Sequence, residues 1–262
     1  MDDPYPPHEI DTSLNSVAGM TDAARGGRNR SRDHQTVAEF ARRWPKVPGA
    51  APDDEEFPFR SVSHIVSQTG VDQFLNLGAG KPLKEGKNLH DLFPGQWLHT
   101  DADPEIRAVG GALFNSATTA YLEADSRDVD VILGSPEAQR ILDLTRPVCV
   151  LASNLWHYVP GDEPLQATKA YMDAVPSGSS LVLAHACLDG LDPELLDGLN
   201  AVFAGTFAGG IWPRTGGEIR GFLDGLEVLD PGLVPPQHWR PDHAPAVEER
   251  SLPVLGAVAI KS

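Results

Sequence analysis

The stretch that most constrains this chain is Val71–Lys81, VDQFLNLGAGK. Gln73 to Leu77 is an apolar run of the length a buried parallel strand uses. It leads directly into Gly78-Ala79-Gly80, a turn without side-chain bulk, where a ligand can approach the backbone. A second strand-like run, Gln96 to Thr100, ends in Asp101-Ala102-Asp103. Gly-x-Gly after one strand and a carboxylate after the next is an arrangement that holds an adenosine, the ribose hydroxyls donating to the acid. Gly78, Ala79, Gly80, Asp101 and Ala102 are therefore candidate cofactor contacts. The longer G-x-G-x-x-G of nicotinamide cofactors is absent, because Leu83 stands where its third glycine belongs.

The rest of the chain alternates strand and helix signals. Further strands are expected at Thr119–Glu123, Val148–Ala152, Ser180–Ala184, Leu226–Leu229 and Leu255–Ile260. Helices are expected at Arg32–Trp44, Phe59–Thr69, Pro104–Leu113, Val129–Leu142, Pro164–Ala174, Pro193–Phe203 and Gly216–Leu223. Such alternation with short turns predicts an α/β fold: a Rossmann-like, doubly wound, mostly parallel seven-stranded sheet. Ligands of such sheets sit beyond the carboxyl ends of the strands. Four strand ends then converge on one cleft: Gly78 to Gly80, Asp101, Asp125 with Ser126, and Asn154 to Tyr158.

Residues 1–14, with Pro4, Pro6 and Pro7, are expected to be disordered. Residues 15–58 read as an N-terminal helical arm and a linker, Pro45–Pro58 being rich in proline and acid. Residues 59–262 read as the cofactor domain. Thirty-seven acidic against 21 basic residues give a net charge of −16, which argues against a nucleic-acid partner, since phosphate binding needs a basic field. No apolar run approaches the ~20 residues of a membrane span, and the N-terminus is polar and acidic. The expectation is a cytoplasmic protein without a membrane partner. Cys149 and Cys187 sit in apolar runs and read as buried thiols.

The runs QFLNLGAGKP, HTDADP, TTAYLEADSRD, LWHYVPGD and FLDGLEVLDPGLVPPQHWRPD, with GGRNRSRD near the N-terminus, resemble the actinobacterial S-adenosyl methyltransferase family long labelled a domain of unknown function. The resemblance spans about Asp22 to Lys261, and its tail is the most specific part. It implies a class I methyltransferase fold and S-adenosylmethionine (SAM) as cofactor. By that resemblance Gly78, Ala79 and Gly80 approach the methionine part and Asp101 holds the ribose. Asp125 and Ser126 meet the adenine, and Asn154 and Leu155 line the cleft. Gly26, Gly27 and Asn29 belong to an arm folded over the cofactor. The chain departs from the family at Asn76, where an acid is usual, and in its lysine-bearing loop after Gly80.

Methyl transfer from a sulfonium asks for alignment and exclusion of water. A hydroxyl or amine acceptor also benefits from a base. His157 is the candidate, with Tyr158 beside it. The expected function is SAM-dependent methylation of a small molecule, in specialised metabolism. The alternative is a SAM- or nucleoside-binding regulator or partner protein without catalysis.

Overall fold

The computed structural model describes residues 14–27, 31–49, 51–84, 86–244 and 252–262. Most of the expected residues 1–14 segment therefore lies outside the described residues. The strands are β1 Gln73–Leu77, β2 Gln96–Asp101, β3 Thr119–Glu123, β4 Cys149–Ser153, β5 Ser180–Ala186, β6 Glu227–Val228 and β7 Val254–Ile260. They form one seven-stranded sheet of order β3-β2-β1-β4-β5-β7-β6. β1 to β5 are parallel, and β7 runs antiparallel between β5 and β6. The expected fold class holds.

The helices are α1 Val17–Ala24, α2 Ser31–Arg43, α3 Lys46–Gly49, α4 Ala51–Thr69, α5 Leu89–Leu92, α6 Pro104–Phe114, α7 Val129–Gly134, α8 Pro136–Ile141, α9 Glu163–Ala174, α10 Pro193–Phe203 and α11 Gly216–Gly221. Three differ from expectation. The Pro45–Pro58 linker is helical: α4 starts at Ala51 and carries Pro58 inside. Phe57 and Val62, both fully buried, pin that helix to the sheet, and packing of this kind overrides weak propensity. The expected Val129–Leu142 helix is two. Pro136 has no N–H to continue α7, and Ser135 caps α8 by accepting from Ala138 N–H at 3.0 Å. α1 was not expected. Ser16 caps it, accepting from Gly19 N–H at 3.0 Å, and its buried Met20 and Ala23 face inward.

Both faces of the sheet are covered, because a parallel sheet presents apolar residues on both sides. Leu75, Leu77, Leu98, Val150 and Leu181 share one core with Ile132, Trp156 and Tyr171. Phe74, Trp97, Leu151 and Val182 share the other with Phe57, Ile65 and Trp239. A third, smaller cluster joins Phe40, Trp44 and Val47 of the arm to Leu195 and Leu199 of α10 and to Tyr158. The arm is thus seated across the carboxyl ends of the strands. The chain order reverses between β1 and β4, which sets a crevice at their ends.

Candidate functional site

A cavity of about 680 Å³ opens at that reversal point, within the size range of small-ligand sites. Its floor is the strand ends. Gly78 and Gly80 have φ of +59° and +67°, a left-handed backbone that only glycine adopts without strain. A Cβ on Gly78 would come within 2.6 Å of Leu155 Cδ1. The turn can therefore present backbone to a ligand where a side chain would block it. Asn154, after β4, has φ +57°; asparagine tolerates this conformation better than bulkier residues, and such strain gathers at functional sites.

Asp101 ends β2 beside the turn. One carboxylate oxygen accepts from Gly80 N–H at 2.9 Å and the other from Asp103 N–H at 2.9 Å. Burial outweighs these bonds and pushes its pKa up to about 6. Asp103 caps α6 by accepting from Glu105 N–H, and it accepts from Ser16 Oγ at 2.5 Å. The arm is thereby fastened to the loop that carries Asp101. Asp125 accepts from the Arg127 backbone N–H at 2.9 Å and from its guanidinium at 2.6 to 3.0 Å. Despite the opposing burial, these bonds hold its carboxyl below the usual range. Tyr171 donates to Ser126 O at 2.9 Å, fixing the next residue.

Gly78, Ala79, Gly80, Asp101, Ala102, Asp125, Ser126, Asn154, Leu155, His157 and Tyr158 all line this one cavity. Gly26 and Gly27 do not. They close the C-terminal turn of α1, Gly27 N–H donating to Asp22 O at 2.8 Å, while the neighbouring Ala24 and Arg25 reach the cavity instead. Asn29 lies outside the described residues.

The structure changes the reading of His157. Its Nδ1 accepts from Ala186 N–H at 3.2 Å, so the proton resides on Nε2. Burial first, then His185 and Arg214, keeps its pKa well below 6.5. His157 is a neutral donor, with its basic nitrogen already used. Burial, and then the Asp54 carboxylate, raises the Tyr158 phenol above its ordinary value, so it too stays protonated at neutral pH. Arg214 fixes both residues from behind. It donates to the carbonyls of Trp156, Val159 and Gly161 and to His185 Nε2 at 2.6 to 3.2 Å.

The sequence pattern of the S-adenosyl methyltransferase family matches residues 4–262. The chain belongs to that family. It is a SAM-dependent methyltransferase, with SAM as its cofactor. A candidate methyltransferase from Thermobifida fusca superposes with a TM-score of 0.88 at 27% identity, covering 99% of this chain and 100% of that one. A DUF574 family protein from Streptomyces avermitilis gives 0.88 at 29% identity, covering 97% and 100%. A SAM-dependent methyltransferase from Anabaena variabilis gives 0.50 at 14% identity, covering 78% and 84%, and shows the shared fold alone. No curated protein matches.

The residues present fit that cofactor. A half-buried carboxylate with accepting capacity, a turn open to its backbone and a cavity of small-ligand size converge at one place. Sequence reasoning marked Asn76 as a departure from the family but missed His99 and Tyr121; all three also line the cavity. They stand in register across β1, β2 and β3. Asn76 Nδ2 lies 3.1 Å from His99 Nδ1, and His99 Nε2 lies 3.1 Å from His90 Nδ1. A signal was present: three polar side chains at matching positions of three apolar strands. The far wall, with Phe40, Asp54, Glu55, Phe203, Phe207 and Trp212, comes from three stretches far apart in the chain and has no single local signature. Among the described residues no group of acids, histidines and cysteines is placed to hold a metal, and no helix is long and apolar enough to cross a membrane.

Proposed function

We propose that this methyltransferase acts on a small molecule held in the arm-covered cavity, with Asp101 as the ribose ligand. The position of the Asp101 carboxylate carries this reading: it stands half-buried at the end of β2, beside the glycine turn and at the sheet's reversal point. Gly78, Ala79 and Gly80 would receive the methionine part. Ala102, Asp125 and Ser126 would border the adenosine, and Asn154 and Leu155 the methyl end. SAM supplies an electrophilic methyl group on a sulfonium.

The chain's own residues then align the acceptor and keep water out, which is most of what an in-line transfer needs. His157 and Tyr158 act as donors that orient the acceptor, since neither offers a free basic atom. The enclosure made by α1 to α4 supports a small acceptor over a polymer, and the net charge of −16 disfavours a polyanion.

Calorimetric titration with SAM, S-adenosylhomocysteine and NAD tests the cofactor assignment. SAM and S-adenosylhomocysteine should bind and NAD should not. Absence of binding below about 1 mM, or −4.1 kcal/mol, would overturn it. Release of S-adenosylhomocysteine across an acceptor panel then tests the small-molecule reading.

A further inference from the structure

The cavity has a second half, walled by the arm, by α10 with the segment after it and by Tyr158, which the cofactor assignment does not use. We infer that this half takes an uncharged, ring-bearing aromatic acceptor; this rests on the methyltransferase reading above. Its walls are Phe40, Tyr158, Phe203, Phe207, Ile211 and Trp212. The Tyr158 and Phe203 rings are 5.1 Å apart and tilted by 57°; those of His157 and Tyr158 are 4.3 Å apart and tilted by 55°. Such a wall offers ring faces and edges at several angles, to which a rigid planar guest can be matched. A flexible aliphatic chain would bury similar surface but would have to be ordered bond by bond.

Charge narrows the class further. The arginines and lysine lining the cavity are each ion-paired: Arg25 with Glu55 at 3.7 Å, Lys81 with Glu105 at 2.9 Å, and Arg127 with Asp125 at 2.6 Å. Asp54 and Glu55 stand on the cavity wall as well. Among the described residues each of these cations is already paired, and the Asp54 carboxylate, whose charge also reaches the Tyr158 phenol, opposes an anionic guest.

Phe207 supplies an independent observation. It lines the cavity yet is 51% exposed, so it stands at the mouth. Its segment contains Gly205, Gly209 and Gly210, with Gly209 at φ +72°. An exposed phenylalanine on a glycine-rich segment at a cavity mouth is placed to fold down on an apolar guest and shed its own water.

The test uses the full chain saturated with S-adenosylhomocysteine and three probes. They are 2-naphthol (an uncharged ring), 2-naphthoate (the same ring as an anion) and 1-decanol (an uncharged chain). Titration calorimetry should rank 2-naphthol at least about tenfold tighter than either other probe. Phe207→Ala, a change at a half-exposed side chain, should weaken 2-naphthol about fivefold and leave S-adenosylhomocysteine affinity within about twofold. The inference is overturned if 2-naphthoate or 1-decanol binds as well as 2-naphthol. Indifference of 2-naphthol to the Phe207 change overturns it too, as does silence of all three probes on a protein that binds S-adenosylhomocysteine. Failure of S-adenosylhomocysteine itself is a separate result, which removes the cofactor assignment and this inference with it.

Discussion

Asp101→Ala is expected to weaken S-adenosylhomocysteine binding strongly while leaving the chain folded. The affinity term is simple. A ribose hydroxyl donating to a charged acceptor contributes about 1.5–3 kcal/mol, or roughly 10- to 150-fold in Kd. The stability terms oppose one another. The carboxylate accepts from Gly80 and Asp103 N–H groups at 2.9 Å, and losing an acceptor costs about 1–3 kcal/mol for each buried donor left behind. Against this, burial raises the Asp101 pKa from 3.8 to about 6 even with those bonds in place. That shift is about 3 kcal/mol against the ionised form, and alanine removes it. Two donors left behind cost about 2–6 kcal/mol against the roughly 3 kcal/mol regained, so the net runs from about 1 kcal/mol of gain to about 3 kcal/mol of loss, and the melting temperature should fall by no more than about 12 °C. The assay is calorimetric titration at pH 7.5 beside a thermal melt. A Kd within threefold of the unchanged chain, on a folded variant, would refute the ribose assignment. A pH series adds a second check. Because the ribose requires the ionised acid, affinity should be full only well above pH 6 and fall as pH drops through about 6; Asp101→Asn should abolish that dependence.

Gly78→Ala should raise the Kd for S-adenosylhomocysteine at least about tenfold, since the new methyl meets Leu155 at a φ of +59°; unchanged titration would show that the turn does not approach the ligand. Acid should destabilise the fold. His99 is held down to about 3 and His185 to about 4, and His157 is also depressed, in each case chiefly by burial. The unfolded chain binds protons at these histidines first, so stability is full above about pH 6.5 and is lost as pH falls. Asp101, with its raised pKa, has the opposite slope between 3.8 and about 6. Three groups against one leave about 2.7 kcal/mol per pH unit near pH 5, and urea midpoints that stay level from pH 7 to 5 would contradict this. Arg214→Ala frees three carbonyls and His185. It should lower the melting temperature by at least about 6 °C and reduce turnover more than cofactor affinity; equal loss of both would assign Arg214 to the scaffold alone.

The sheet was legible because its signals are local. Gln73–Leu77, Thr119–Glu123 and Ser180 onward are apolar runs closed by turn residues, and a buried parallel strand admits little else. The same holds for Gly78, Gly80 and Asp101. A positive φ favours glycine where it falls, and a strand end dictates where its next carboxylate lies. Proline and acid in residues 45–58 pointed to a linker, but Phe57 and Val62 found a sheet to pack on and the segment became helix. That outcome depends on partners far away in sequence.

The sequence by itself determined the alternating fold, the glycine turn and the carboxylate beside it, since each follows from backbone and period. Tertiary structure alone decided three things: the seat of the arm across the cleft, the chamber shared by Phe40, Phe203 and Phe207, and the protonation of His157. His157 shows why. Its residue type promises a base, but the N–H of Ala186, brought alongside by β5, occupies the nitrogen that role requires.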